Sequence, residues 1–136
     1  MGRLALARPV LLDTDIGTDV DDALALAMLH TIIEEKLYDA AFVSEWTHGF
    51  EALAERVKRY SPEWAAPITW VPAEKIRAAA RLYAATKPSM MEWGCAIEHT
   101  PNTIQTVRAI SMLPALTGNI DVPGGWVFGM KGLGRF

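Results

Sequence analysis

Apolar and polar positions change register several times along the chain, and each register predicts an element. Residues 9–13 (PVLLD) are a short apolar run ending on an acid, the pattern of a buried strand entering a loop. The loop covers residues 14–20. A helix is then predicted from Asp21 or Asp22 to about Lys36, acidic in its first turn and basic at its end, as the helix dipole favours. The stretch LYDAAFVSEWTHGFEALAERVKRY predicts two short helices with a break at residues 47–49, and Thr47 is the expected N-cap of the second. Phe50, Leu53, Ala54 and Val57 share one stripe of that helix, and Glu55 and Arg59 have the i,i+4 spacing of an exposed ion pair. Pro62, Pro67 and Pro72 punctuate the next segment. Pro72 suits the first turn of a helix over 72–85 whose inward face is Ile76, Ala80 and Tyr83. Residues 89–93 (SMMEW) predict a second strand, ended by Gly94 and followed by a loop over 95–102. A largely buried helix over 103–116 comes next, with Pro114 weakening its last turn and Gly118 as its C-cap. From Gly118 onward lie six of the ten glycines, so the tail reads as loop. Trp46, Trp64 and Trp70 are expected to be core or packing residues. Strand, three helices, strand and helix make an α/β pattern.

Composition narrows the classes. Hydrophobic residues are 51% and charged ones 21%, which excludes a disordered chain. Thirteen Lys and Arg against sixteen Asp and Glu give a net charge of −3, so neither a nucleic-acid partner nor a polybasic membrane anchor is expected. The longest apolar run, residues 23–29, is far short of the ~20 residues a membrane helix needs. Arg8 and Pro9 interrupt what would be the core of an export signal, so a cytoplasmic location is expected. One cysteine, Cys95, excludes an internal disulfide and a multi-cysteine metal site, and it is expected to be a small buried thiol.

The sharpest chemical signal is D-T-D-I-G-T-D-V-D-D, which places Asp13, Asp15, Asp19, Asp21 and Asp22 within ten residues. Asp13 and Asp15, two apart at a strand end, can project to one side. Five carboxylates this close repel one another, and a hard cation such as calcium would relieve the repulsion. A carboxylate beside such a metal could deprotonate water. Equally, Asp21 and Asp22 need only cap a helix while the others are solvated. The opening PVLLDTDIGTDVDDALALAML resembles that of inosine–uridine nucleoside hydrolases. That resemblance, confined to residues 8–29, implies a calcium ion on Asp13, Asp15, Asp21 and Asp22, with Asp13 and Asp15 as the catalytic carboxylates. His30, His48 and His99 match none of that family's later motifs.

A second resemblance covers about residues 17–136. GTD, ALALAMLHTIIEEKLYDAAFVSEWTHGFEAL, ITWVPAEKIRAAARLYA and MMEWGCAIEHTPNTIQTVRAISMLPALTGNIDVPGG are similar to the interior of molybdopterin oxidoreductases of the dimethyl sulfoxide reductase type. The GCAIEHTPN and TGNIDVPGG segments are nearest to the acetylene hydratase-like branch. Two patterns therefore meet near residues 17–23, dividing the chain into an acidic start (1–22) and an oxidoreductase-like piece (17–136). The resemblance implies a partial Rossmann-like parallel sheet flanked by helices, as a fragment of a larger multidomain enzyme. It implies molybdenum on a molybdopterin guanine dinucleotide, and as partners the remainder of that enzyme or an electron-transfer subunit. Gly17, Thr18 and Asp19 would lie against this cofactor. Asp19 suits the paired N–H donors of guanine. Trp93, Gly94, Ile97, Glu98 and His99 would line it after the second strand, where a glycine lets backbone N–H groups approach a phosphate or pterin. Bland roles stand beside these: Gly94 ending a strand, His99 a loop histidine, Gly124 and Gly125 a turn. Glu98 replaces a glutamine common in that family, and Cys95 does not match the position of its molybdenum-ligating cysteine. The order of readings is a partial molybdopterin oxidoreductase, inactive alone and without a molybdenum ligand of its own; then a calcium-dependent nucleoside hydrolase; then a non-catalytic remnant.

Overall fold

An apolar run without a polar face needs partners on every side, and ALALAML provides that run at the start of the first helix. In the computed structural model, which describes residues 10–11, 20–99 and 101–127, this helix, α1 (Val20–Glu34), is the hub. Ala23, Leu26, Ala27, Leu29 and Ile32 are fully buried on it. Four helices pack around α1: α3 (Phe50–Val57), α4 (Pro62–Thr69), α5 (Ala73–Ala85) and α7 (Thr103–Leu116). Between them lie α2 (Ala40–Trp46) and the one-turn α6 (Cys95–Glu98). Leu53, Val57, Ile76, Ala80, Leu113 and Leu116 complete the core.

The sheet is far smaller than the expected Rossmann-like one. Among the described residues it is two parallel two-residue strands, β1 (Val10–Leu11) and β2 (Thr47–His48), with Val10 opposite Thr47 and Leu11 opposite His48. Residues 89–93 form no strand and have no ladder partner among the described residues. The architecture is mostly helical.

Local chemistry accounts for other departures. Asp39 caps α2 by accepting from the Phe42 N–H at 2.9 Å. The cap of α3 is Gly49, not Thr47, because the chain turns there through φ +84°, a left-handed conformation that threonine resists. Thr47 instead donates its hydroxyl to the Val43 carbonyl at 2.6 Å. Glu55 pairs with Lys58 rather than Arg59, whose guanidinium lies 5.4 Å from the Tyr60 ring centroid. α4 was hidden by its prolines. Ser61 caps it from the Trp64 N–H at 3.3 Å, Pro62 takes the first turn where no donor is needed, and Pro67 forfeits one bond inside.

The expected inward face of α5 is buried as predicted, and α7 has its predicted bounds. Trp64 packs edge-on against Tyr60 at 4.8 Å between ring centroids. Trp70 corrects the expectation of a core residue, since it ends α4 with φ +56° and is 91% exposed. No described helix is long and apolar enough to cross a membrane.

Candidate functional site

The segment most expected to face a cofactor follows α5 and leads through residues 89–94 into α6. A loop that the sequence presents only as glycine-rich holds it there. At the end of α7 the Thr117 hydroxyl donates to the Leu113 carbonyl at 2.8 Å, and the chain then reverses. Asn119, 1% exposed, reaches the start of this segment. Its amide oxygen accepts from the Ser89 N–H at 3.1 Å, and its amide nitrogen donates to the Ser89 hydroxyl at 3.0 Å and to the Thr117 hydroxyl at 2.8 Å. The Ser89 hydroxyl in turn donates to the Tyr83 carbonyl at 3.1 Å. Residues 119–126 close on themselves. Trp126 N–H reaches the Asn119 carbonyl at 2.7 Å, and Asp121 N–H reaches the Trp126 carbonyl at 2.7 Å. This closure leaves no room for a side chain at Gly125, where a Cβ would meet the Asn119 carbonyl oxygen at 2.5 Å. Gly124 and Gly125 are the turn expected of them.

On this support the candidate residues separate into two kinds. Trp93 packs edge-on against Trp126, with 5.3 Å between ring centroids, and Trp93 and Ile97 both lean on the core. Gly94, Glu98 and His99 are exposed. Gly94 caps α6 without a side-chain hydrogen bond, at an ordinary extended φ of −110°. A Cβ built on it meets nothing within 4 Å, so neither strain nor crowding within the described chain calls for glycine there. α6 is tied to α7 by the Thr103 hydroxyl, which reaches the carbonyls of Ile97 and Glu98, each at 3.1 Å. Cys95 is exposed, against the expectation of a buried thiol: it stands on the solvent side of a single helical turn that buries no residue.

Gly17, Thr18 and Asp19 lie outside the described residues, as do Asp13 and Asp15. Asp21 and Asp22 are adjacent on α1 but not brought together, since Asp21 is exposed and Asp22 fully buried. Among the described residues no three His, Cys, Asp or Glu side chains are grouped to hold a metal ion.

Sequence reasoning missed Ser89, Thr117 and Asn119. The signal available was an asparagine between two turn-forming segments in TGNID, and composition alone cannot show that it is buried. Tyr83 stands beside this network, and burial pushes its phenol above the usual range, with Ser89 and Thr117 opposing the rise. An open groove of about 410 Å³ lies elsewhere, beyond the end of β2, lined by Ser44, His48, Gly49 and Glu51 among others.

The comparisons with known proteins agree with the larger resemblance. The family model described as molybdopterin oxidoreductase matches residues 11–132. The chain is 44% identical over 110 residues to formate dehydrogenase H of Escherichia coli (strain K12), covering 81% of this chain and 15% of that protein. The same identity and length relate it to the probable oxidoreductase YoaE of Bacillus subtilis (strain 168), covering 81% of this chain and 16% of that one. Among solved structures, acetylene hydratase from Pelobacter acetylenicus superposes with a TM-score of 0.71 at 38% identity, covering 76% of this chain and 15% of that one. The chain thus spans roughly one sixth of the length of these relatives. Nothing in these likenesses supports the nucleoside hydrolase resemblance of residues 8–29 or the calcium site it implied. Matched over most of its length, the chain belongs to the molybdopterin oxidoreductase family, among relatives of the dimethyl sulfoxide reductase type.

Proposed function

We propose that residues 93–99, together with Gly17, Thr18 and Asp19, form part of the wall of a molybdopterin guanine dinucleotide site, completed by the remainder of a larger enzyme. The observation that carries this reading is Gly94. It sits between two anchored apolar side chains, Trp93 and Ile97, yet faces open space with no internal need to be glycine. A bare backbone at such a place lets a flat or phosphorylated ligand approach the main-chain N–H groups. The family's molybdenum–pterin group supplies the reactive centre when bound. This chain's residues would bind and orient it: backbone at residues 94–96 toward a phosphate or pterin, the Asp19 carboxylate toward the guanine edge. Neither Glu98 nor His99 has a buried, fixed geometry that assigns it a proton-transfer role. Redox turnover, its substrate and an electron-transfer subunit belong to the completed enzyme, and this chain alone would be inactive.

Calorimetric titration of the full chain with GDP, which carries the guanine and pyrophosphate of the cofactor, tests the reading. Binding is expected, weakened at least tenfold by Asp19→Ala and by Gly94→Val, with the thermal midpoint of Gly94→Val unchanged because nothing occupies the space beside it. No binding, or binding indifferent to both substitutions, would overturn it. A parallel calcium titration is expected to show no binding, and micromolar binding abolished by Asp15→Ala would revive the hydrolase reading.

A further inference from the structure

We propose that Asn119 is the positioning residue of this wall, acting through Ser89 to hold residues 89–99 so that Gly94 faces the ligand. This rests on the reading of Gly94 as ligand-facing. Among the described residues, residues 89–94 have no ladder partner. A buried side chain, Asn119, holds the start of the segment. The Asn119 amide accepts from the Ser89 N–H and donates to both the Ser89 and Thr117 hydroxyls. Those hydroxyls pass the connection on, Ser89 to the Tyr83 carbonyl at the end of α5 and Thr117 to the Leu113 carbonyl on α7.

One amide group therefore joins two helix ends to the first residue of the segment, and the side-chain polar atoms of Asn119, Ser89 and Thr117 each have a partner. A buried network satisfied this fully specifies one arrangement. The position demands both an acceptor and a donor on one flat group. Aspartate would offer acceptors only and would draw the two hydroxyls away from the carbonyls they now satisfy. A purely apolar residue would leave the Ser89 N–H without its acceptor. Downstream, the Trp93–Trp126 contact carries the same alignment to the residue before Gly94, and Trp126 is itself held by the Asn119 carbonyl.

Hydrogen exchange followed by mass spectrometry on the full chain, combined with GDP titration, tests this. Ser89→Ala removes one hydroxyl at the surface of the network, whereas Asn119→Asp removes its centre. In Ser89→Ala the amides of residues 86–99 are expected to exchange about tenfold faster, the worth of roughly one buried hydrogen bond, while those of α1 keep the wild-type rate. GDP binding should weaken by a similar factor. Asn119→Asp should show the same pattern more strongly, and if it does not fold, Ser89→Ala decides alone. Acceleration shared equally with α1, or no acceleration over residues 86–99, overturns the proposal. Faster exchange over residues 86–99 with undiminished GDP affinity overturns the role of Asn119 in binding and leaves the wall reading intact. Absence of GDP binding in the wild type overturns the wall reading, and with it any positioning for a ligand.

Discussion

Gly118→Ala is the substitution whose cost the structure specifies best. Gly118 follows α7 with φ +68°, a conformation that costs an L-residue about 1–2 kcal/mol. A Cβ there would also stand 2.6 Å from Asp39 Oδ2. Asp39 cannot yield freely: its other oxygen caps α2 through the Phe42 N–H, and its own N–H donates to the Leu116 carbonyl at 2.7 Å. Turning the carboxylate away forfeits the cap, about 1 kcal/mol. Its pairing with Lys87 at 3.7 Å is half in solvent and adds little. The expected destabilisation is thus about 2–3 kcal/mol, a large share of the 5–15 kcal/mol typical of a domain. Urea unfolding followed by circular dichroism would measure it. The reasoning also fixes a coupling. In an Asp39→Ala background the cap is already lost and the obstructing oxygen is gone, so Gly118→Ala should cost about 1 kcal/mol less than in the wild type. A cost below about 0.5 kcal/mol in the wild-type background, or one equal in both backgrounds, would refute the account.

Two pH dependences follow from the charged and phenolic groups. Burial raises the Tyr83 phenol in the folded state, so its contribution to stability is intact below the unfolded value near 10 and declines as pH rises through the folded value. Urea midpoints measured from pH 9 to 11 should fall more steeply for the wild type than for Tyr83→Phe. Glu35 is held below the usual carboxylate range by its two bonds from Arg81, at 2.8 and 2.7 Å. Its contribution is therefore present above the unfolded value near 4.3 and lost as pH falls through the lower folded one. Glu35→Gln should be slightly less stable than the wild type at pH 7 and indistinguishable from it at pH 2, and the gap at pH 7 should narrow in high salt.

The helices were legible in the sequence where their cause is local. ALALAML announces a helix buried all round, Ile76, Ala80 and Tyr83 fall on a face that is buried, and the bounds of α7 follow from its flanking loop and glycine. Reading failed where two local rules compete. Three prolines hid α4, although Pro62 sits at the one helical turn that tolerates it. Thr47 looked like a cap because the left-handed turn at Gly49 is invisible until the chain's path is known. The second strand failed for a different reason. SMMEW has the composition of a strand, but a strand exists only if another lies beside it, and the described residues offer none.

The sequence by itself determined the family, because that rests on the order and spacing of residues over most of the chain. It also named the segment around Gly94. Only the tertiary structure decided which of those residues are supports and which are surface. Trp93 and Ile97 turn inward, Gly94 is open, Cys95 is exposed, and an asparagine thirty residues beyond Ser89 holds the start of the segment. The physical reason is that burial and hydrogen-bond partnership belong to pairs of groups brought together by the fold, and no residue type carries them alone.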